Sequence, residues 1–323
     1  MENLVIITYL SLAGIAIVLI NIHEAGRLRF RLFEKINYLL PVFLQFAFGG
    51  LFSVFVVFYS RSASLATSWP FLLFLILLLL GNEFFREKYV RLVFQFSIFF
   101  VALFSYSIFA MPILIGKLNA WVFVLSGIAS LFLISIFLYI IFYFTPAKIK
   151  QSRRLLLTSV GVMYIAFNFF YFTNIIPPIP LSLKDSGVYH YIEKNNSGGY
   201  NVSYEPAPWY YFFRDAHPTF HWVQGEKVYF FSAVFAPTKI NTDIAHRWSY
   251  FDEEKDKWIE KSKLNFPIVG GRDGGYRGYS WHGDITSGKW RVEVMTERGQ
   301  ILGRHIFTIE ETKIRPQLKN SSI

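Results

Sequence analysis

The chain has 323 residues with no cysteine, and 53% of them are hydrophobic and 20% aromatic. This apolar content is too high for an ordinary soluble protein, and the lack of cysteine excludes disulfides, thiolate metal sites and cysteine nucleophiles. Thirteen Lys and Arg but only five acidic residues precede Leu181, whereas nineteen Lys and Arg and seventeen acidic residues follow it. Because positive and negative charges are nearly balanced in this second part, it is not expected to bind nucleic acid.

Six apolar segments in the first part predict six transmembrane helices, because a helix needs about 20 apolar residues to cross a bilayer. These segments are Leu4–Ile22, Tyr38–Ser60, Leu65–Phe85, Leu92–Ile115, Ala120–Phe144 and Leu155–Ile176. Residues 1–176 are therefore predicted to form a transmembrane domain. Four uncharged amides inside it are expected to make hydrogen bonds between helices: Gln45, Gln95, Asn168 and Asn174.

The connections between these segments predict the orientation of the chain, because cytoplasmic loops hold an excess of Lys and Arg. Loops one, three and five carry eleven Lys and Arg, whereas loops two and four carry two. The odd loops are therefore predicted to be cytoplasmic. The N-terminus and everything after the sixth span would then lie outside the cytoplasm.

After the helices, a proline-rich connector at residues 177–186 leads into a region with a period of two. Trp290, Val292 and Val294 face one way and Arg291 and Glu293 the other, as in a strand with one buried face. The predicted strands are Val188–Glu193, Tyr200–Tyr204, Trp209–Phe213, Val228–Phe235, Ile244–Phe251, Trp258–Val269, Tyr276–Trp281, Trp290–Val294 and Ile301–Ile309.

So many short strands predict an all-β, immunoglobulin-like sandwich at residues 187–312, with a small barrel as the alternative. Two hairpins are expected within it. The first is joined by the charged tip Asp252–Lys257, and the second by a turn in which Gly299 supplies a positive φ. Residues 313–323 are predicted to be a flexible tail.

Several motifs of this region occur together in one known family. They are His246-Arg-Trp248, Val269-Gly-Gly-Arg-Asp-Gly-Gly-Tyr-Arg-Gly-Tyr-Ser280, Gly288-Lys-Trp-Arg-Val-Glu-Val294 and Arg298-Gly-Gln-Ile-Leu-Gly303. With them, the stretch 228–309, about a quarter of the chain, resembles bacterial family 2914 among the domains of unknown function. The resemblance implies a domain but no activity, because the family has none assigned.

Seven residues of this stretch are the candidates for ligand binding: His246, Trp248, Arg272, Tyr276, Arg277, Ser280 and Arg291. The three arginines suit an anionic headgroup or glycan, although surface ion pairs are the commoner role of such residues. The glycine-rich loop 270–275 is expected to be a turn. A phosphate-binding loop usually opens a helix and carries a Lys-Ser/Thr pair, whereas a strand follows here.

Two further patterns suggest chemistry but are each better explained by structure. His217-Pro-Thr-Phe-His221 has a spacing that suits a metal, yet Pro218 argues against the helical turn that would align both rings. Ser280, His282 and Asp284 alternate along a strand, which holds side chains parallel and not converging as in a triad. No catalytic residue, metal or cofactor is therefore predicted.

The sequence thus predicts a non-enzymatic, multi-pass protein of the bacterial inner (cytoplasmic) membrane. Its partner, besides the lipid bilayer, would be an envelope protein or glycan that the extracytoplasmic sandwich binds or scaffolds. The alternatives are a membrane-embedded enzyme of lipid or glycan chemistry, and a transporter or channel.

Overall fold

The computed structural model describes residues 2–27, 39–62, 64–84, 91–195, 198–207, 217, 219–237, 240–271 and 274–323. The chain divides into two compact units, with the boundary between Ile179 and Pro180. The described part of the first unit is helical and that of the second is built of strands. The predicted change from a helical to a β-rich region is therefore confirmed.

Six helices lie in the described part of the first unit. They are α1 (Glu2–Glu24), α2 (Leu40–Ser62), α3 (Leu65–Phe84), α4 (Leu92–Ile115), α5 (Ala120–Phe144) and α6 (Pro146–Phe172). Among the described residues, five of these helices are long and apolar enough to cross a membrane. The exception is α3, whose apolar stretch is the shorter Thr67–Asn82, so a sixth crossing stays a prediction.

The last helix differs most from its predicted bounds. It begins at Pro146, nine residues before the predicted start at Leu155, because proline is well tolerated at the first helical position. It ends at Phe172, and Asn174 then takes a positive φ of 59°. The basic residues of the predicted fifth loop therefore lie in the first turns of α6.

Buried amides join the helices, as predicted, at two places. Asn21 Nδ2 donates a 2.7 Å hydrogen bond to Gln95 Oε1 between α1 and α4. Gln45 and Asn82 each donate from the side-chain amide to the other's backbone carbonyl, at 3.2 and 2.9 Å, between α2 and α3. Asn168 instead bonds within α6, to the carbonyl of Tyr164 at 2.8 Å.

The second unit contains eleven strands in its described residues. They are β1 (Ser182–Tyr189), β2 (Tyr191–Lys194), β3 (Tyr200–Tyr204), β4 (Thr219–Trp222), β5 (Val228–Phe235), β6 (Asn241–Asp252), β7 (Lys257–Val269), β8 (Tyr276–His282), β9 (Gly288–Thr296), β10 (Ile301–Glu311) and β11 (Lys319–Ser322). They form three sheets with the orders β1-β5-β8, β4-β10-β9-β6-β7 and β11-β3-β2. β4 pairs parallel with β10, and the other pairs are antiparallel.

Both predicted hairpins are present. The β6–β7 pair has its tip between Asp252 and Lys257, and the β9–β10 turn has Gly299 at a φ of 87°. The inward residues of β9 are buried as their alternation predicts: Trp290, Val292 and Val294 are at most 1% exposed. The predicted strands β3 and β5 have the observed bounds, whereas the predicted strand 209–213 lies outside the described residues.

The structure differs from the predicted strands at three places. The predicted strand Val188–Glu193 is divided at His190, and β1 already begins at Ser182, inside the predicted connector. The short β4 was not among the predicted strands, and in the sequence it follows Pro218. The exposed β11 lies in the predicted tail and is held by backbone pairing to β3; its sequence has no apolar alternation by which a strand could be recognised.

The three-stranded β1-β5-β8 sheet contacts the five-stranded sheet through large aromatic side chains. Phe230 of β5 meets Trp248 of β6 edge to face, with ring centroids 6.3 Å apart. Trp248 and Trp290 are fully buried. These contacts form one core between two sheets, whereas an immunoglobulin-like topology stays a prediction.

Candidate functional site

A chain of buried polar side chains crosses this core. His246 Nε2 lies 2.8 Å from Ser232 Oγ, and His246 Nδ1 lies 2.9 Å from Ser280 Oγ. Trp248 Nε1 donates to the same Ser280 Oγ at 3.0 Å. All bonds are satisfied when the Ser280 hydroxyl donates to Nδ1 and the His246 Nε2–H donates to Ser232. The imidazole is then neutral.

Burial explains this neutral state, because it lowers the pKa of His246 from 6.5 to about 3. Three of the seven predicted binding residues, His246, Trp248 and Ser280, are thus brought together, but they are 0%, 0% and 6% exposed. A ligand in solvent cannot reach them. Their geometry is that of a hydrogen-bonded clamp between the two sheets.

A second polar group lies on the opposite face of the five-stranded sheet. We call it the Glu293 cluster: Glu293 with Arg247, Arg291 and Arg304. Arg247 Nε donates to Glu293 Oε2 at 2.9 Å and Arg304 Nε donates to Oε1 at 2.8 Å. Arg291 Nε is 3.6 Å from Oε1, which is an ion pair but too long for a hydrogen bond.

The Glu293 cluster carries more positive charge than its carboxylate neutralises. Burial raises the pKa of Glu293, but its hydrogen bonds and ion pairs with Arg247, Arg304 and Arg291 outweigh burial and hold the pKa below its ordinary value. One carboxylate therefore faces three guanidinium groups. Arg291 also lies over the Trp258 ring, 4.4 Å from its centroid, an arrangement that stabilises a cation. Such a cluster can accept an anion.

Of the two other predicted arginines, the structure describes Arg277, which is not part of the Glu293 cluster. Arg277 is on β8 of the three-stranded sheet, where its carbonyl accepts a 3.3 Å hydrogen bond from Tyr200. Tyr276 precedes it at the start of β8 and is partly buried. Arg272 lies outside the described residues.

The glycine-rich loop has structural reasons for its glycines. A Cβ on Gly270 would lie 1.8 Å from the Pro237 carbonyl oxygen, and Gly275 has a φ of 82°. The backbone N–H groups of Gly270 and Gly271 donate to the carbonyls of Ile240 and Ala236. These two N–H groups are therefore not directed at a phosphate, in agreement with the predicted turn.

Ser280 makes its contacts apart from His282 and Asp284. The Ser280 hydroxyl is engaged in the core, as described above, whereas His282 Nδ1 lies 3.4 Å from Ser262 Oγ on β7. Asp284 is exposed. The described geometry therefore does not assemble these three residues as a triad.

A third polar group, which we call the Glu205 cluster, consists of Glu205, His190, His217 and His221. Glu205 follows β3, His190 lies between β1 and β2, His217 precedes β4 and His221 is within β4. His190 Nε2 is 2.8 Å from Glu205 Oε1, and His221 Nδ1 is 2.5 Å from Oε2. One atom each from Glu205, His217 and His221 lies within 4.8 Å of the others.

Backbone contacts position the members of the Glu205 cluster. The N–H of His221 donates to Glu205 Oε1 at 2.8 Å, and the N–H of His217 donates to the Glu205 carbonyl at 2.9 Å. Burial raises the pKa of Glu205, but the hydrogen bonds from His190 and His221 outweigh it and lower the pKa below its usual value. Glu205 is therefore a carboxylate surrounded by imidazoles.

Sequence reasoning identified the His217 and His221 pair but not the carboxylate between them. The prediction considered metal binding by this pair only in a helical turn, whereas His221 lies on strand β4. Glu205 is remote in sequence from both histidines and is brought to them because β3 ends beside the start of β4. Two histidines on a strand can also bind a metal, so the spacing of His217 and His221 was the signal in the sequence that could have indicated this cluster.

Comparison with known proteins adds a family match of sequence and weak matches of structure. No curated protein matches the chain. Alkylpurine DNA glycosylase AlkC of Pseudomonas fluorescens, solved with DNA containing an abasic site analog, aligns over 88% of this chain and 83% of its own, at 10% identity and a TM-score of 0.25. A likeness this low carries no argument. The family model Protein of unknown function (DUF2914) matches residues 241–309, which confirms the resemblance noted in the sequence of the C-terminal region.

Proposed function

We propose that this chain is an integral protein of the bacterial inner membrane whose helices anchor an immunoglobulin-like β domain outside the cytoplasm. The apolar length of five helices supports the anchor, because each suffices to cross the hydrocarbon core. With α3 as a further, shorter crossing, the number of spans is even. The N-terminus and the β domain would then share one side of the membrane.

The charge distribution supports the outward orientation. Eleven of the thirteen Lys and Arg in the first part fall on the predicted cytoplasmic side. Four of them, Lys148, Lys150, Arg153 and Arg154, lie in the first turns of α6. Lys148 Nζ bonds to Asn21 Oδ1 at 3.0 Å and pairs with Glu24, so the end of α1 and the start of α6 lie together, as one cytoplasmic side requires.

The Glu293 cluster is the observation that supports binding as the role of the β domain. Arg247 and Arg304 each direct two of their five N–H donors, from Nε and Nη2, at Glu293, and their side chains are 31% and 26% exposed. The Arg291 side chain is 14% exposed, and within the described residues its buried Nε has no hydrogen-bond partner, so a ligand in solvent could reach only its Nη groups. The ligand class that fits is an acidic envelope polymer, an acidic glycan in particular, whose carboxylate or phosphate groups would bind the remaining donors.

This proposal is tested with the full chain purified in detergent, with polygalacturonate as the probe and neutral dextran as the reference. Arg291→Gln is the informative variant, because Arg247 and Arg304 continue to hold Glu293. We expect it to weaken polygalacturonate binding about tenfold, since a lost hydrogen bond to a charged group costs about 1.5 kcal/mol or more.

Lys313→Gln is the matched control, because it removes one exposed positive charge outside the Glu293 cluster. Its affinity for polygalacturonate should equal that of the unmodified chain. Equal binding of dextran and polygalacturonate, or an unchanged affinity of Arg291→Gln, would contradict a binding role for this surface.

A further inference from the structure

The Glu205 cluster has the composition of a metal site, and we propose that Glu205, His217 and His221 bind a divalent transition-metal ion of the zinc class. Two imidazole nitrogens and one carboxylate oxygen form a ligand set that zinc accepts, with a fourth position left for water or a ligand. The three donor atoms lie within 4.8 Å of one another. This inference does not depend on the Glu293 cluster.

The spacing of the donors requires only small side-chain adjustments on binding. Zinc binds imidazole nitrogen and carboxylate oxygen at about 2.0–2.2 Å, so two ligand atoms on one ion lie at most about 4 Å apart. In the structure, His221 Nδ1 is already 2.5 Å from Glu205 Oε2. The rings of His217 and His221 have centroids 5.5 Å apart, and a nitrogen of each lies within 4.8 Å of a Glu205 carboxylate oxygen.

Outer contacts orient these donors in the manner of known metal sites. His217 Nδ1 lies 3.1 Å from the backbone N of Thr219, from which one tautomer accepts, and 2.9 Å from the Thr219 carbonyl oxygen, to which the other tautomer donates. The tautomer that donates this bond leaves Nε2 unprotonated and able to bind a metal. His190 Nε2 holds Glu205 Oε1 at 2.8 Å and stacks on Phe220, with ring centroids 4.0 Å apart. His190 is therefore a positioning residue and not itself one of the three ligands.

The residues of the Glu205 cluster differ in exposure: some are buried, and one histidine is open to solvent, from which a metal ion could enter. The side chains of Glu205 and His190 are 9% and 5% exposed, whereas His221 is 35% exposed and gives access from solvent. Nearby Glu226 pairs with Arg315 and lies 3.9 Å from His190 Nδ1. Glu226 is thus shared between Arg315 and His190, whereas Glu205 is the carboxylate that lies with His217 and His221.

The test uses the full chain in detergent, without a polyhistidine tag, stripped with a chelator and titrated with Zn²⁺ by calorimetry. We expect one equivalent of Zn²⁺ per chain. The double variant His217→Gln/His221→Gln should lose at least about 100-fold in affinity, and His190→Gln about 10- to 100-fold, the range for outer-shell partners. His305→Gln, on β10, is the control and should bind as the unmodified chain does.

A measurement on the unmodified chain covers the case in which a ligand variant fails to fold. X-ray absorption of the Zn²⁺-loaded protein should show two imidazole ligands at about 2.0 Å. Absence of stoichiometric Zn²⁺ binding, an absorption spectrum without imidazole ligands, or a folded double variant with unchanged affinity would each overturn the assignment. None of these outcomes bears on the binding of polygalacturonate, so the two proposals fail separately.

Discussion

His246 Nδ1 and Ser280 Oγ lie 2.9 Å apart, and this hydrogen bond joins β6 of the five-stranded sheet to β8 of the three-stranded sheet. Ser280 also accepts from Trp248, whereas Ser232 contacts only the opposite nitrogen of His246 in this chain of hydrogen bonds. The two serines are thus unequal partners in one buried network, and their relative importance can be measured.

Replacing Ser280 by Ala should destabilise the β domain more than replacing Ser232 by Ala. Ser280→Ala leaves two buried nitrogens without their partner, and we expect a loss of about 2–3 kcal/mol in unfolding free energy. Ser232→Ala leaves one and should cost about 1 kcal/mol. Urea unfolding followed by tryptophan fluorescence in detergent would show the order. Equal losses would contradict the network described here.

His246 should make stability depend on pH. Its folded-state pKa is about 3 against an ordinary value of 6.5, so below pH 6.5 the unfolded chain takes up a proton that the folded chain does not. The contribution of His246 is therefore fully present above pH 6.5. It is lost as the pH falls toward 3, at up to about 1.4 kcal/mol per pH unit.

The variant His246→Gln isolates this contribution, because glutamine does not titrate. Its unfolding free energy should be lower than that of the unmodified chain at pH 8, and the difference should narrow as the pH falls to 5. Thermal melts at several pH values provide the measurement. A difference that stays constant between pH 8 and pH 5 would mean that the imidazole is not held neutral.

Glu293→Gln should be strongly destabilising, because it leaves Arg247, Arg291 and Arg304 without the carboxylate that they surround. Removing one partner of a buried ion pair costs about 3 kcal/mol or more. Since the pKa of Glu293 is lowered in the folded state, its contribution is present above its ordinary pKa and lost as the pH falls through the folded value. Urea unfolding at pH 7 measures the loss, and a change below about 0.5 kcal/mol would contradict the account.

Gly270 and Gly274 belong to the same loop but should respond differently to alanine. A Cβ on Gly270 would overlap the Pro237 carbonyl oxygen at 1.8 Å, whereas one on Gly274 would meet its nearest atom, Arg277 Nη2, at 3.6 Å. We expect Gly270→Ala to lower the unfolding free energy by about 3 kcal/mol and Gly274→Ala to be nearly neutral. Thermal unfolding of both variants would test this, and equal midpoints would refute the close approach of the backbone.

The sequence predicted most elements that rest on regular periodicity. Apolar runs gave the bounds of α4 and α5, and alternation gave the buried face of β9. By contrast, β11 is held by backbone pairing to β3 and by side-chain hydrogen bonds of Asn320 and Ser322, which leave no apolar alternation in its sequence. A local sequence pattern also cannot predict that β4 pairs with β10, because these strands are far apart in the sequence.

Site residues were harder to predict for the same reason. Sequence patterns placed His246, Trp248 and Ser280 among seven binding candidates but did not show that they lie inside the core, because an inward and an outward polar residue look alike in a sequence. Arg291 was predicted together with Arg272 and Arg277, whereas its neighbours in the structure, Arg247 and Arg304, come from other strands. The position of Glu205 beside His217 and His221 depends on tertiary contacts that no local spacing encodes.

The central claim is that the helices span the membrane and leave the β domain outside the cytoplasm, and a pair of reporter fusions tests it most directly. Alkaline phosphatase, which is active only outside the cytoplasm, and green fluorescent protein, which is fluorescent inside it, would each be fused after Ile323. The account predicts high phosphatase activity and no fluorescence, with both fusions in the membrane fraction. Fluorescence without phosphatase activity, or recovery of the chain in the aqueous fraction without detergent, would contradict it.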